Sequence, residues 1–387
     1  MKKTWFIFLL FINNVFAQES MVFQSKEGGY DFFRIPAIVQ TSTDHLIAFA
    51  EGRVNGSGDF GNVDIVYKIS KNGGKTWEAL HTLIDNKILQ AGNAAPVMDW
   101  MDPAYPKGVL YLFYNTGNNH EYEVRKGNGL REVWFVKSFD HGNSWTSPVN
   151  ITTQVHRPLQ PQTNPAYQFK EDWRSYANTP GHGLQIQTGN YKGRIYIPAN
   201  HSSGDPQNAF HDYKAHAYYT DDHGKTFHLS STIEIPSSNE STAAELSNGN
   251  LLVNSRNQSG NPKRRIIALS SNGGETWDTT YISSTLLDPV CQASLLNIHF
   301  KNRHHLLFSN AFAVQHRDSL SIHHSNDDGK TWSNKKMIEI AAPGFKGDWA
   351  AYSDLVLINK RRIGILYERN NYKEIVFRSF DLREIID

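Results

Sequence analysis

Apolar residues in this chain come in short runs, not in stripes. Leu46-Ile47-Ala48-Phe49-Ala50, Val109-Leu110-Tyr111-Leu112-Phe113-Tyr114 and Ile363-Gly364-Ile365-Leu366-Tyr367 are bounded by polar, turn-forming residues. That is the signature of buried strands, and the three-to-four spacing of an amphipathic helix is scarce. The pattern predicts an all-β protein.

Between the runs one box recurs five times: Ser70 to Trp77, Ser138 to Trp145, Thr220 to Phe227, Ser270 to Trp277 and Ser325 to Trp332. Each reads Ser/Thr-x-Asp/Asn-x-Gly-x-Ser/Thr-aromatic. The Asp or Asn and the hydroxyls can bond nearby backbone, and Gly supplies a positive φ, so each box predicts a tight hairpin turn. The aromatic is expected to open the outgoing strand and anchor it in the core. Spacings of roughly 50 to 80 residues suit one four-stranded blade plus a loop, which predicts a β-propeller. Gly-Lys-Thr at Gly74, Gly224 and Gly329 is no phosphate loop, because Ile69, Tyr219 and His324 stand where that loop needs glycine. Asp327-Asp328-Gly329 lacks the ligand spacing and closing glutamate of an EF-hand.

Composition narrows the function. With 39 Lys and Arg against 38 Asp and Glu the net charge is +1, which excludes a strongly basic nucleic-acid binder. The single Cys291 permits no intramolecular disulfide. Lys2 and Lys3, the apolar Trp5 to Ile12 and then Val15-Phe16-Ala17 have the form of a secretory signal, with cleavage expected after Ala17. The stretch is too short to span a bilayer comfortably. The expected organisation is therefore a signal over 1–17 and one catalytic domain over 18–387, exported to a bacterial periplasm or cell exterior. Arg157 to Pro165 reads as a long loop, not an interdomain linker.

Outside the boxes, Phe33-Arg34-Ile35-Pro36 followed by several boxes resembles the exo-α-sialidase (neuraminidase) family, over about Gly29 to Arg369. The resemblance implies a six-bladed propeller acting, without a cofactor, as a monomer on sialylated glycans, glycoproteins or glycolipids. It also implies three arginines that hold the substrate carboxylate. Arg34 matches the first, Arg256 in Asn254-Ser255-Arg256 the second, and Arg317 the third, with Arg303 its nearest competitor. A guanidinium suits this task because its planar fork donates paired hydrogen bonds and stays charged.

Tyr352 in Tyr352-Ser353-Asp354-Leu355 resembles the family's nucleophile. A phenol arrives neutral, whereas a carboxylate nucleophile would meet the repulsion of the carboxylate already on the anomeric carbon. Glu240 is the expected base for Tyr352, and Glu245, facing the other side of a regular strand, is expected to support an arginine or cap the strand. Asp59, between glycines in Gly56-Ser57-Gly58-Asp59, is the implied acid/base, with Arg53 beside it. Glu368 is the implied partner of Arg34. His182 resembles a residue near the aglycone site. Adjacent histidines, His304-His305 and His323-His324, point to opposite faces of a strand, so no metal is expected. The implied chemistry is retaining hydrolysis of a terminal α-linked sialic acid. The alternatives are a trans-sialidase, with Trp173 or Tyr176 as an acceptor platform, and a non-catalytic sialic-acid-binding propeller.

Overall fold

The structure is a computed structural model that describes residues 18–387, so the expected signal over 1–17 lies outside the described residues. Twenty-five strands dominate it, and no described helix is long and apolar enough to cross a membrane. The chain runs as successive antiparallel meanders. Strands Phe32–Ser42, His45–Arg53, Val63–Ser70 and His81–Ile84 form the first. Gln90–Asp99, Val109–Gly117, Arg131–Ser138 and Val149–Asn150 follow. The later sheets begin at Trp173–Asn178, Ser238–Glu245, Ser294–Phe300 and Ala350–Asn359. The last takes its outer strand from the other end of the chain, because Gln18–Gln24 pairs antiparallel with Glu374–Asp381.

Six separate blades were expected, and the hydrogen bonding does not delineate them. Four sheets have blade size, of four or five strands, and the rest is one eight-stranded sheet. That sheet joins the first two meanders through a single parallel bridge, Val63 to Gln90.

The innermost strands close a ring by polar contacts between neighbours. Asn93 N–H donates to Glu51 Oε1 at 2.9 Å, and Asn93 Nδ2 to the Asn178 carbonyl at 2.9 Å. Ser241 N–H reaches Thr179 Oγ1, Leu295 N–H reaches Thr242 Oγ1, and Leu355 N–H reaches Ser294 Oγ. Ile38 N–H returns to Asp354 Oδ2 at 2.9 Å. Asp354 also accepts from Ser294 Oγ at 2.8 Å and from the His182 backbone at 3.0 Å, and its Oδ1 lies 2.6 Å from His182 Nδ1. His182 is thus a hub group that ties distant sheets together. It lines a groove beside Val97, Trp100 and Leu357, apart from the polar pocket described below.

Apolar packing between adjacent sheets supplies the cores. Phe113, for example, meets Tyr218 edge-on across the sheet boundary, with ring centroids 5.7 Å apart. The boxes lie at the turns leaving the third strand of every meander but the last. In the second, Gly142 N–H donates to Ser138 Oγ, and Asp140 accepts from the Ser144 backbone and hydroxyl at 2.8 and 2.6 Å. The box glycines serve two ends. Gly74 has φ +83° and a Cβ there would run into the Phe377 ring; Gly274 has φ +85° and would meet Tyr196. The aromatics depart from expectation. Trp77, Trp145 and Phe227 precede the outer strand and reach the neighbouring sheet, against Phe377, Phe49 and Phe113.

Candidate active site

The strand Phe32–Ser42 is interrupted where the site begins. Its register shifts between Arg34 and Ala37, Ile35 has φ +57°, and Pro36 has no N–H to lend to the ladder. A β-branched residue in the left-handed region is strained, so surrounding contacts must hold it. Glu368 supplies them. Fully buried on Arg362–Arg369, it accepts from Ile35 N–H at 2.9 Å and from Arg34 Nε at 2.8 Å, and its other oxygen takes Tyr352 N–H at 3.2 Å. One carboxylate fixes Arg34 and the backbone of the candidate nucleophile.

Arg34 stacks on Tyr372 at 3.9 Å and lies 5.6 Å from the Tyr352 ring centre. Burial works against its charge, but Glu368 outweighs that and holds its proton more firmly than usual. Tyr372 sits on a turn whose three residues Asn370, Asn371 and Tyr372 all have positive φ. Its hydroxyl accepts from Arg317 Nη1 at 3.3 Å and is hydrogen-bonded to Asp348, which also takes the Arg317 backbone N–H at 3.0 Å. Arg317 Nη2 donates to the Val290 carbonyl at 3.0 Å, and Arg317 makes no ion pair among the described residues. Arg256, at the end of Leu251–Asn257, is paired to Glu240 at 2.7 Å and donates to Tyr352 Oη at 2.8 Å, while its buried Nε has no partner. Three guanidinium groups therefore surround the pocket with donors to spare.

Tyr352 is nearly buried, and its hydroxyl donates to Glu240 Oε1 at 2.6 Å. Burial, then the Glu240 charge, push its pKa well above the ordinary value, with Arg256 and Arg317 pulling the other way. The resting phenol is neutral and already bonded to the group that can take its proton. Glu240 gains this position because the strand Ser238–Glu245 shifts register between Ser238 and Ser241. Glu245, at the far end of that strand, accepts from the backbone N–H groups of Gln187 and Thr188 at 2.7 and 2.9 Å. It braces a neighbouring loop and no arginine, because five residues of extended chain carry it away from the pocket.

Asp59 stands on the exposed segment after His45–Arg53, its side chain 66 % open. Arg53 Nη1 donates to it at 2.8 Å and Arg34 Nη1 lies 3.8 Å away. Burial against the pocket opposes its charge, but at this exposure the two arginines decide, holding the carboxyl below the usual range. Arg53 is in turn gripped by buried Glu51 at 2.6 Å. Arg303 opens the strand Arg303–Ala311 at an exposed position and does not line the pocket.

Arg34, Arg53, Asp59, Glu240, Arg256, Arg317 and Tyr352 thus line one cavity of about 230 Å³, with Glu368 behind it. Several contributors escaped sequence reasoning. Glu51 could have been found two residues before Arg53, on the same strand face; Tyr372 and Arg131 carried no signal. Cys291 is buried near the arginines, and burial pushes its thiol to about 12, so it is an inert neighbour. Trp173 is buried and stacked on His201 at 3.6 Å, which removes it as an exposed acceptor platform; Tyr176 lines the cavity but is itself buried. The histidine pairs split as expected, His305 bonding His324 at 2.8 Å across strands. Among the described residues one triad, Asp99, Asp102 and His223, could approach a metal ion, at the far end of Gln90–Asp99 from the pocket; Gln185 and His223 already bond Asp99.

Residues 43–365 match the model of the BNR repeat-like domain. The chain belongs to this family. Among its relatives are the sialidase of Micromonospora viridifaciens, 28% identical over 92% of this chain, and an exo-alpha-sialidase of Arthroderma benhamiae, 26% identical over 93%. The BNR chain spans about half the length of the first (52%) and 85% of the second. Among solved structures it superposes on the Hadza microbial sialidase Hz136 with a TM-score of 0.79 at 24% identity, over 95% of this chain and 69% of that one. The shared fold is a propeller, and the kinship is with sialidase-type glycoside hydrolases.

Proposed function

We propose that this protein is an exo-α-sialidase that releases terminal α-linked sialic acid from glycoconjugates with retention of configuration. The observation that carries the reading is the Tyr352 to Glu240 hydrogen bond of 2.6 Å, set among Arg34, Arg256 and Arg317. The arginines dock the substrate carboxylate. Tyr352 oxygen attacks the anomeric carbon and gives its proton to Glu240, while Asp59 protonates the departing glycosidic oxygen. Water then attacks the glycosyl-tyrosine, losing a proton to Asp59, and Glu240 returns the proton to Tyr352.

Beside two arginines Asp59 is poorly protonated. The incoming carboxylate offsets those positive charges and the aglycone covers the side chain, and both raise its pKa toward what an acid needs. The eight-stranded sheet counts as two blades joined by one bridge, giving six in all, and export after removal of residues 1–17 completes the reading.

The test is release of 4-methylumbelliferone from its α-N-acetylneuraminide by residues 18–387, with the first-formed sugar anomer followed by NMR. Wild type turns over and yields the α-anomer first; Tyr352→Phe and Asp59→Ala each lose about 10² or more in kcat/KM. A Tyr352→Phe enzyme of near wild-type rate would sink the mechanism. Folded wild type that binds sialic acid without cleaving any ketoside would leave the binding-only alternative.

A further inference from the structure

Of the three arginines assigned to the carboxylate clamp, two carry their own counter-charge. Arg34 is paired to Glu368 at 2.8 Å and Arg256 to Glu240 at 2.7 Å. Among the described residues the Arg317 guanidinium has no carboxylate; it donates to the Val290 carbonyl at 3.0 Å and to the Tyr372 hydroxyl at 3.3 Å. Three guanidinium groups and two carboxylates leave one positive charge, the complement of a single substrate carboxylate. A third carboxylate, set on Arg317, would cancel it.

Tyr372 touches the paired and the unpaired arginine at once. Its ring centre lies 3.9 Å from Arg34 Cζ, while its oxygen accepts from Arg317. The phenol's own proton is turned away to Asp348 Oδ2, and Asp348 Oδ1 takes the Arg317 backbone N–H at 3.0 Å. Both oxygens of Asp348 are thus engaged, which keeps this acid off the Arg317 guanidinium. Burial pushes the Tyr372 pKa above its ordinary value against the pull of Arg317 and Arg34, so the partner they share is neutral.

The local chain is built for this placement. Asn370, Asn371 and Tyr372 have φ of +58°, +50° and +65°. Asparagine tolerates the left-handed region and a bulky tyrosine does not, so the turn needs a brace. Asn371 supplies it: Oδ1 accepts from Asp348 N–H at 2.8 Å, and Nδ2 donates to the Lys346 carbonyl at 3.1 Å. Gly347 makes room, because a Cβ there would run into the Asn371 amide. Tyr372 does not itself line the cavity, so it acts there through the arginines.

We propose that Tyr372 is the positioning residue of the clamp, a neutral stand-in for a carboxylate that fixes Arg317 through its hydroxyl, packs Arg34 on its ring and reserves one uncompensated positive charge for an anionic substrate group. The inference rests on the sialidase reading. Arg34 and Arg317 both face the Tyr352 ring, at 5.6 and 5.3 Å from its centre, so an anion held by them is delivered to the candidate nucleophile. Fixing Arg317 in advance spares the entropy of ordering a long side chain when the anion arrives. That gain is made on binding and kept in the transition state, so it belongs to KM and not to kcat.

The test is the kinetics of 4-methylumbelliferyl α-N-acetylneuraminide hydrolysis by residues 18–387, wild type beside Tyr372→Phe and Asp348→Asn. Tyr372→Phe keeps the ring, deletes the hydroxyl and frees Asp348 to pair with Arg317; KM should rise about tenfold with kcat changed less than about threefold. The Ki of free N-acetylneuraminic acid should rise by the same factor. Asp348→Asn has one oxygen for two donors, so its amide turns the Tyr372 proton toward Arg317; KM should rise in the same direction, and this variant serves if Tyr372→Phe does not fold. KM and Ki within about twofold of wild type in the folded variants, or a loss confined to kcat, overturns the positioning role alone. No turnover by folded wild type overturns the sialidase reading, and this inference with it.

Discussion

Glu368→Gln tests the link between fold and site most directly. The wild-type carboxylate is fully buried and takes four donors, Arg34 Nε at 2.8 Å, Ile35 N–H at 2.9 Å, Tyr352 N–H at 3.2 Å and Arg34 Nη2 at 3.5 Å. A glutamine of the same shape has one oxygen. It keeps the two short bonds, and its NH₂ then faces Tyr352 N–H and Arg34 Nη2, both donors. Removing one charge from a buried pair costs about 3–5 kcal/mol, and the retained carbonyl places this change at the low end, ~3 kcal/mol. With an unfolding entropy near 2.1 cal/mol/K per residue over about 370 residues, that corresponds to a Tm lowered by ~4 °C. Scanning calorimetry at neutral pH reads it. Because Arg34 loses its charged tether, kcat/KM should fall about tenfold or more, equivalent to ~1.4 kcal/mol of lost transition-state contact. A variant melting within about 1 °C of wild type at full activity would refute the claim that this carboxylate holds the strained Arg34-Ile35 bulge.

Two further outcomes follow from the charges. In the proposed mechanism Asp59 acts while protonated, and Arg53 depresses its pKa, so Arg53→Met should move the alkaline limb of the kcat/KM profile to higher pH; an unmoved limb would remove Arg53 from that role. In the third box Asp222 accepts from Thr220, Lys225 and Thr226, and these bonds outweigh burial to bring it down to about 2. A depressed carboxyl stabilises the fold fully above its unfolded value of about 3.9, and that stability fades as pH falls toward 2. Denaturant melts of Asp222→Asn should therefore show a deficit at pH 6 that shrinks on acidification, and a constant deficit would contradict the assignment.

Much of the architecture was legible because the boxes are local. Ser138, Asp140, Gly142 and Ser144 satisfy one another within seven residues, so their turn can be read without knowing the rest of the chain. Even the Asn variants are tolerated for a readable reason: Asn72 Nδ2 donates to Thr76 Oγ1, reversing the direction in which the Asp boxes bond. Blade separation was not legible, since one bridge at Val63 merges two meanders. The site was legible where motifs name residue types, as at Arg34, Arg256 and Tyr352. It was opaque where position comes from distant strands. Parity along a strand separated Glu240 from Glu245, yet the bulge at 238–241 and sheer distance decided their tasks. His182 was seen as a site neighbour and turned out to tie the hub through Asp354, a contact 172 residues away in sequence.

The pairing of Gln18–Gln24 with Glu374–Asp381 sets an order of events for the nascent chain. The last sheet lacks its outer strand until residues more than 350 positions apart meet, so ring closure has to wait until translation of that sheet is finished. Such remote pairing slows folding, because loop-closure entropy is spent before the contact rewards it. Until then Val22 and Phe23, buried in the finished ring, face solvent beside an open sheet edge. Trimming the chain past residue 18 would reopen that edge, which makes the first strand a clasp and a poor place for a cleavable tag.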